Sequence, residues 1–268
     1  MTTTTKTVLE VSGLSRAYGS VQAVDDVSFR LSEGGSLGIV GESGSGKTTT
    51  APLVVGMATA DGGRVEINGR DRTEHRRGKA GRLERAREIQ MVFQDPFLSL
   101  DPRITVGGAI RETLKLHFPG TDHTGRITEL LDQVGLGARE ADALPRQLSG
   151  GQRQRVAIAR ALAVEPSVLV LDEAVAALDV SVQAQILNLL FDIREQTGIG
   201  YLFITHDLGV VRCVTDDVIV MRHGRIVEAG PTAQVLADPQ HPYTRLLLES
   251  VPRPGWDPRS IAAARRAL

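Results

Sequence analysis

The stretch Gly41-Glu42-Ser43-Gly44-Ser45-Gly46-Lys47-Thr48 decides the fold of this 268-residue chain. It fits the spacing G-x-x-x-x-G-K-[ST], in which a glycine-rich backbone curls so that its N–H groups point at phosphate oxygens. An apolar run, Leu37 to Val40, precedes the loop and predicts a buried strand, and a helix-compatible segment, Thr48 to Met57, follows it. Because a helix N-terminus adds favourable partial charge, the strand, loop and helix together predict a nucleoside triphosphate site.

Two side chains of the loop carry specific expectations. Lys47 is expected to place its charge on the β- and γ-phosphates, and the hydroxyl of Thr48 is expected to bind Mg²⁺. The following helix contains Pro52, past the first turn, where a proline removes an internal hydrogen bond and favours a kink. The sequence therefore predicts either that the helix begins later than Thr48 or that it bends at Pro52.

The composition is that of an ordinary globular protein, with 41% hydrophobic and 24% charged residues. A formal net charge of −1 gives no general attraction to nucleic acid or to an anionic membrane. The single cysteine, Cys213, excludes an intrachain disulfide framework. The stretch Met1 to Lys6 has no apolar core of a secretory signal, and no window is long and apolar enough to span a bilayer. We therefore expect any membrane contact to run through a partner.

Arginine is concentrated between Arg70 and Arg87. One interpretation is a nucleic-acid patch, and the other is a solvent-exposed helix or loop face balanced by Glu74, Glu84 and Glu88. No aromatic side chains alternate with the arginines to stack on bases, and the chain as a whole is not basic. These observations favour the exposed face, and we expect no nucleic-acid partner.

A second candidate site follows the apolar run Val168 to Leu171, which ends in the carboxylates of Asp172 and Glu173. An open parallel sheet keeps its ligand chemistry at the carboxyl ends of buried strands. Asp172 can hold Mg²⁺ and Glu173 can polarise an attacking water, whereas the structural alternative is that both cap the next helix. Tyr201 to Thr205 predicts another buried strand, and His206 follows it where a side chain could reach a γ-phosphate.

The pattern between the two sites is helical. Apolar residues such as Ile110, Leu114 and Leu116 predict helices from Thr105 to about Leu144, inserted in an α/β order. The sequence Leu148-Ser149-Gly150-Gly151-Gln152 then heads a helical run that ends at Ala163. A serine before two glycines suits two interpretations equally. One is a helix N-cap with a glycine turn, and the other is a backbone anion site that closes over the nucleotide of another subunit.

Taken together, the motifs resemble those of ATP-binding cassette (ABC) ATPases in order and approximate spacing. The segments that carry the resemblance are GESGSGKT at 41–48, Gln94, LSGGQ at 148–152, VLVLDE at 168–173, ALD at 177–179 and His206. It covers the chain from Val8 to about Val251 and implies ATP and Mg²⁺ as cofactors. The implied fold is α/β, a P-loop NTPase ABC ATPase core with an N-terminal antiparallel β part and an inserted helical subdomain at about 95–160. The implied domain spans 7–251, and a Pro-rich tail follows at 252–268.

The resemblance also implies roles, residue by residue. Tyr18 is similar to the aromatic residue that stacks on adenine, and Asp179 to an acid at the seam between two subunits. The residues implied to bind ATP within the chain are Tyr18, Gly41, Glu42, Ser43, Gly44, Ser45, Gly46, Lys47, Thr48 and Thr49. The residues implied to contact the ATP of the opposite subunit are Ser149, Gly150, Gly151, Gln152 and Asp179. The implied Mg²⁺ ligands are Thr48, Gln94 and Asp172, and the implied catalytic residues are Glu173, His206, Gln94 and Lys47.

Longer segments resemble one branch of the family, the dipeptide/oligopeptide/nickel importers. They are QDPFLSLDPR at 94–103, DEAVAALDVSVQAQILNLL at 172–190 and HPYTRLLLESVP at 241–252. This branch implies ATP hydrolysis that energises uptake of di- or oligopeptides from a peripheral position on the cytoplasmic face of the cell membrane. Its implied partners are a second ATPase subunit (the same chain or a paralogue), two permease subunits and, indirectly, a substrate-binding protein. The alternatives are uptake of nickel, glutathione or another small solute, or a non-transport ATPase of a phosphonate-degrading complex. The role of the HPYT segment stays open.

Overall fold

The computed structural model describes residues 6–73 and 78–251, with only the backbone of Lys79, Phe97 and Leu98. The middle of the arginine-rich segment, 74–77, and the predicted Pro-rich tail, 252–268, lie outside the described residues. The strands and helices in chain order are β1 (Thr7–Tyr18), β2 (Val21–Ser32), β3 (Ser36–Val40), α1 (Lys47–Val55), β4 (Gly62–Ile67), β5 (Arg70–Asp71), α2 (Lys79–Glu88), β6 (Ile89–Val92), α3 (Val106–His117), α4 (Thr124–Gln133), α5 (Ala138–Ala141), α6 (Gly150–Leu162), β7 (Val168–Asp172), α7 (Val180–Thr197), β8 (Gly200–Ile204), α8 (Leu208–Val214), β9 (Asp217–Arg222), β10 (Arg225–Pro231), α9 (Thr232–Ala237) and α10 (Pro242–Glu249). Single 3₁₀ turns lie at Pro96–Ser99 and Pro145–Gln147.

A six-stranded sheet forms the centre of the fold, in the order β10-β9-β3-β8-β7-β6. Its strands are parallel except for β10, which runs antiparallel to β9 at one edge. Every residue of β3 and β8 is buried, and β7 is buried up to its last residue. Continuous apolar strands of this kind are expected where helices cover both faces of a parallel sheet. The three buried strands predicted from sequence are confirmed, and Ile204 at the end of β8 pairs with both Ile39 and Asp172.

The second sheet is antiparallel, in the order β2-β1-β4-β5. It packs on one face of the central sheet through a cluster that includes Leu9, Val27 and Ile67 from its own strands and Ile39 and Val54 from β3 and α1. The sequence predicts strands at Val8 to Val11 and at Val24 to Leu31, and the observed strands β1 and β2 are both longer. Register shifts interrupt the pairing of β1 with β2, and each irregularity breaks the period of two on which the prediction depends.

Helices α3, α4, α6 and α7 pack on the opposite side of the central sheet. Ile110 and Leu114 of α3 and Leu130 and Leu131 of α4 are each 2% exposed or less, which confirms the helical spacing predicted there. Leu116 is instead 47% exposed, so its assignment to the apolar face was wrong. It follows Leu114 by two positions, and residues two apart do not share a helix face.

Helix α1 begins at Lys47 and continues through Pro52. The alternative that the helix begins later than predicted is therefore wrong. Because proline has no N–H, the carbonyl of Thr48 lacks the donor that an unbroken helix would supply four residues later. The helix ends at Val55, two residues earlier than predicted, because Gly56 adopts a left-handed conformation with φ of 80°.

Two arginines of the arginine-rich segment are structural, which corrects the expectation of an exposed face. Arg72 is 4% exposed and donates to both carboxylate oxygens of Glu88, at 2.7 and 2.6 Å, and to Glu84 at 2.9 Å. Arg85 donates to the backbone carbonyls of Arg72, at 2.5 Å, and Val54, at 2.8 Å, and its burial lowers the pKa of its guanidinium to about 10. These contacts connect α2 to the antiparallel sheet and to α1. They depend on how separate elements pack together, so the charges within the arginine-rich segment did not predict them.

The last helices complete the fold beside the central sheet. A third apolar cluster joins Val40 of β3 and Val220 of β9 to Val235 of α9 and Tyr243 of α10. Helix α10 therefore lies next to the strand that leads into the glycine-rich loop. Within the described part of the chain, none of the helices combines the length and the apolarity that crossing a bilayer would need.

Candidate active site

The glycine-rich loop depends on glycine at two positions. Gly41 has φ of 155°, and a Cβ there would lie 2.4 Å from the carbonyl oxygen of Met221. Gly46 has φ of 107°, and a Cβ there would lie 2.5 Å from the carbonyl oxygen of Ala23. Gly46 is also the N-cap of α1, so the loop runs directly into a helix N-terminus. This arrangement of amides and helix end is suited to an anion.

Lys47, the first residue of α1, is 4% exposed. Its amine donates to the carbonyls of Gly41, at 2.7 Å, and Glu42, at 2.8 Å, with Ser45 Oγ at 3.4 Å. Burial lowers the pKa of Lys47, while the nearby carboxylates, Glu173 first among them, act to raise it. The amine is thus held by the loop itself and is electrostatically coupled to the acidic end of β7.

The acidic pair lies at the carboxyl end of β7, next to β8. Burial raises the pKa of Asp172 to about 6, with the charge of Glu173 acting in the same direction and Lys47 opposing it. Glu173 leaves the strand in a left-handed conformation with φ of 47°, and its N–H donates to the carbonyl of Ile204 at 2.8 Å. The alternative that these acids cap the next helix is wrong, because α7 begins at Val180 and its cap is Asp179, whose Oδ1 accepts from the N–H of Val182 at 2.9 Å.

His206 follows β8 and pairs with the acidic end of β7. Its Nδ1 lies 2.9 Å from Glu173 Oε1. An ionised carboxylate can only accept, so we assign the proton of this contact to Nδ1. The sequence predicted that His206 follows a buried strand, but it did not predict the contact of His206 with Glu173. A cavity of about 360 Å³ is lined by His206 together with Gly41 and Glu42, which places the histidine and the glycine-rich loop around one space.

The residues available for Mg²⁺ fit that ion. Thr48 is exposed at the second position of α1, and Asp172 is half-buried at the end of β7. Hydroxyl and carboxylate oxygens are the hard donors that Mg²⁺ prefers, and this ion is usually held by one or two carboxylates together with phosphates. The raised pKa of Asp172 reflects a buried carboxylate beside a second one, and a divalent cation would relieve that charge. Gln94, the third predicted ligand, is exposed just after β6.

The Ser149 segment is a helix start, as one of its two interpretations predicted. Ser149 Oγ accepts from the N–H of Gln152 at 3.2 Å, and Gln152 Oε1 accepts from the N–H of Ser149 at 2.9 Å. A Cβ at Gly151 would lie 2.5 Å from Cγ1 of Val182, so this glycine allows α6 to pack closely on α7. The N-cap interpretation is confirmed. The same N-terminus as an anion site for another subunit stays a prediction, as does the subunit contact of Asp179.

Tyr18, the predicted adenine platform, lies at the exposed end of β1, with 52% of its surface accessible. The guanidinium of Arg16 lies 4.9 Å from the centre of the Tyr18 ring, a cation–π contact that was not predicted from the sequence. The sequence could have indicated this contact, because Arg16 and Tyr18 are two positions apart and residues two apart in a strand lie on the same face. Arg16 in turn pairs with Asp61 at 2.7 Å, which fixes the orientation of this end of the sheet.

Comparison with known proteins agrees with these features. A family model described as ABC transporter matches residues 24–176, and a model for the C-terminal region of oligopeptide/dipeptide transporters matches residues 227–266. The chain is 50% identical over 242 residues to the oligopeptide transport ATP-binding protein OppD of Mycobacterium tuberculosis. It is 49% identical over 241 residues to the glutathione import ATP-binding protein GsiA of Escherichia coli. These alignments cover 90% and 89% of this chain, but the chain spans only 39% and 38% of the relatives' lengths.

A solved structure is similar over most of the chain. It is a dimeric, post-hydrolysis state of the ATP-binding cassette MJ0796 bound to ADP and Pi. The TM-score is 0.74 at 28% identity, over 84% of this chain and 98% of that chain. The α/β fold predicted from the motifs is thereby confirmed. Because the ABC transporter model matches more than half of the residues, in the region that carries the glycine-rich loop and the acidic strand, this chain belongs to the ABC transporter family.

Proposed function

We propose that this chain is the ATP-hydrolysing subunit of an ABC importer that energises uptake of di- or oligopeptides through a permease. The observation that carries the proposal is the meeting of three groups at the carboxyl ends of neighbouring parallel strands. Lys47 follows β3, His206 follows β8, and Glu173 follows β7 in contact with His206. A buried cation beside an oriented carboxylate is the arrangement that phosphoryl transfer to water requires.

The chemistry follows from these positions. ATP binds with its phosphates on the 41–48 loop and its adenine against Tyr18. The amine of Lys47 passes from the loop carbonyls to phosphate oxygens. Glu173, held by His206, accepts a proton from water as the water oxygen bonds to the γ-phosphorus and the bond to the bridging oxygen of ADP breaks. Mg²⁺, for which Thr48 and Asp172 are suited, would neutralise charge on the phosphates.

The second subunit completes each site in this proposal. The Ser149 helix start lies against α7 and carries no lysine-bearing loop of its own, so we assign the N-terminus of this helix to the nucleotide of a facing subunit. The MJ0796 cassette is dimeric in the state that holds ADP and Pi, which supports this arrangement. The facing subunit is either a second copy or a paralogue.

Coupling to the permease would run through Gln94 and the helical part of the chain. Arg160 of α6 donates to the backbone carbonyl of Ser99, so the helix headed by Ser149 is tied to the segment after Gln94. Beside this segment lies a cavity of about 260 Å³ lined in part by Met57, Phe93 and Arg160. We propose that permease subunits dock on this face, which places the chain peripherally on the cytoplasmic side of the membrane. A substrate-binding protein would act only through the permease.

The substrate class rests on the C-terminal match and on the relatives. The match to the oligopeptide/dipeptide transporter model and the name of OppD favour peptides. GsiA, named for glutathione import, is almost equally similar, which favours glutathione, itself a small peptide, as the second candidate. Purifying the assembled complex and measuring ATPase stimulation by dipeptides, oligopeptides and glutathione would separate the two. Stimulation by none of them would refute the proposed substrate class.

The hydrolysis itself is tested with Glu173→Gln, which keeps the shape of the side chain and removes its basicity. ATP binding is expected to persist, while turnover falls by at least about a hundredfold, the usual contribution of a general base. The matched control is Glu165→Gln. Glu165 is also a glutamate with positive φ, 53°, but it pairs with Arg126 on another part of the surface. Wild-type turnover in the Glu173→Gln protein would refute the assignment.

A further inference from the structure

The HPYT segment, left open by the sequence, reaches the glycine-rich loop. Tyr243 on α10 is 3% exposed, and its hydroxyl oxygen accepts a hydrogen bond from the backbone N–H of Glu42 at 3.0 Å. The two residues are 201 positions apart in the chain. A buried phenol is usually satisfied by a fixed partner, and here that partner is a peptide group of the loop itself.

That peptide group is the one that holds Lys47. The carbonyl of Gly41 and the N–H of Glu42 belong to the same peptide unit. Its oxygen accepts from the Lys47 amine at 2.7 Å and its N–H donates to Tyr243 at 3.0 Å. Hydrogen bonds at the two ends of one peptide strengthen each other, because each polarises the unit in the same direction. The tyrosine hydroxyl, the peptide and the lysine amine therefore form one continuous chain of hydrogen bonds.

The surroundings of Tyr243 fix its hydroxyl in place. His241 caps α10 by accepting the N–H of Tyr243 at 3.1 Å, and Pro242 occupies the first helical position. Glu228 of β10 accepts the N–H of His241 at 3.1 Å. The guanidinium of Arg222 lies 5.0 Å from the centre of the tyrosine ring. Three consecutive residues of the HPYT segment thus cap, start and aim one helix at the loop.

We propose that Tyr243 is a positioning residue for the nucleotide site: it holds the 41–42 peptide so that Lys47 can exchange the loop carbonyls for phosphate oxygens. This inference rests on the proposed ATP binding. When the amine leaves Gly41, the peptide loses the hydrogen bond that its oxygen accepts from Lys47, and the tyrosine keeps the peptide from rotating. Without the hydroxyl, the loop would have to be ordered at the moment of binding, which weakens affinity for nucleotide.

The test is Tyr243→Phe, measured by equilibrium binding of ATP and ADP and by steady-state hydrolysis with the full chain. Loss of one buried hydrogen bond to a peptide group is expected to raise the Kd for ATP roughly tenfold. KM should rise in the same proportion with kcat within about twofold, because Lys47 binds phosphate in both the ground and transition states.

Tyr201→Phe is the matched control. Tyr201 is 2% exposed, and its hydroxyl donates to the carbonyl of Leu190 at 2.9 Å, so it too loses one buried phenol hydrogen bond. It lies in β8 away from the loop and should lower thermal stability without changing ATP affinity. Equal ATP affinity for wild type and Tyr243→Phe, with only a stability loss like that of the control, would overturn the inference. Absence of nucleotide binding by the wild type would refute the proposed function instead.

A double-mutant cycle with Lys47→Ala measures whether the effect of Tyr243→Phe on nucleotide affinity depends on Lys47. A purely structural role of Tyr243 would show no such dependence. In the absence of the lysine amine, Tyr243→Phe should weaken nucleotide binding by much less than tenfold. Full additivity of the two changes would overturn the inference.

Hydrogen exchange of the wild-type protein tests the inference even if Tyr243→Phe does not fold. The amide of Glu42 should be protected from exchange both without and with nucleotide. Unprotected exchange of this amide in the nucleotide-free protein would also overturn the inference.

Discussion

Replacing Asp172 with asparagine should stabilise the nucleotide-free protein while removing its activity. The carboxyl group of Asp172 lies at the end of β7, where burial and the neighbouring Glu173 raise its pKa to about 6. The folded state therefore binds a proton at this group more tightly than the unfolded state between about pH 4 and pH 6. The free energy of unfolding falls as pH rises through that window and stays low above it. An asparagine never ionises, so the variant does not lose this part of the free energy of unfolding as pH rises.

The magnitude follows from the difference between about 6 and the ordinary value of 3.8. In full this difference corresponds to about 3 kcal/mol. The side chain is only partly shielded from water, so we expect about half of it, roughly 1.5 kcal/mol at pH 7.5. For a chain of this size that is a rise in Tm of about 4 °C. At pH 5, inside the titration window, about half of the gain should remain.

The measurement is scanning calorimetry of the nucleotide-free protein at pH 7.5 and pH 5, with and without ATP and Mg²⁺. Asp101→Asn is the control, because hydrogen bonds from Arg103 lower the pKa of the Asp101 carboxyl to about 2, and neutralising that carboxyl should not stabilise the protein. ATP with Mg²⁺ should stabilise the wild type far more than Asp172→Asn. A nucleotide-free Asp172→Asn protein less stable than wild type at pH 7.5, or a gain that does not change with pH, would refute the reasoning.

Two further predictions concern the dimer and the arginine cluster. Lys47→Ala and Ser149→Arg should each be nearly inactive as homodimers, and mixing them should restore part of the ATPase activity through one composite site with both native residues. No recovery in demonstrated mixed dimers would contradict action across the subunit boundary. Arg72→Met should lower the free energy of unfolding by about 3 kcal/mol in urea titrations, because it leaves the carboxylate of Glu88 without its buried cation. Arg70→Met removes a 67% exposed partner of the same glutamate, 3.6 Å away, and should cost less than about 1 kcal/mol; equal losses for both would contradict the role of burial.

The sequence predicted the features that depend on short stretches of chain. Strands β3, β7 and β8 are runs of apolar residues, and the Ser149 helix start is a local cap, so both follow from neighbours in sequence. The contact of His206 with Glu173 depends instead on β8 lying beside β7, which is a matter of strand order. Arg72 is buried because Glu84 and Glu88 of α2 pack against it, and Arg85 reaches from α2 to the backbone carbonyls of Arg72 and Val54. Nothing in the arginine-rich segment itself shows the direction in which α2 runs. Register shifts between β1 and β2 interrupt the alternating pattern, so the sequence did not predict the full length of β1.

The left-handed backbone at Glu173 has a consequence for how this protein can change over time. Adjacent residues in a strand point to opposite faces, and the φ of 47° at Glu173 breaks that alternation directly after Asp172. A non-glycine residue in this conformation costs about 1 kcal/mol, which glycine would recover. Stability therefore favours glycine at 173 and a neutral side chain at 172, while the proposed hydrolysis requires an acid at each position. A library of variants sorted only for heat resistance should lose the carboxylates of Asp172 and Glu173 first, and an unusually stable variant should be checked for hydrolysis before it is used.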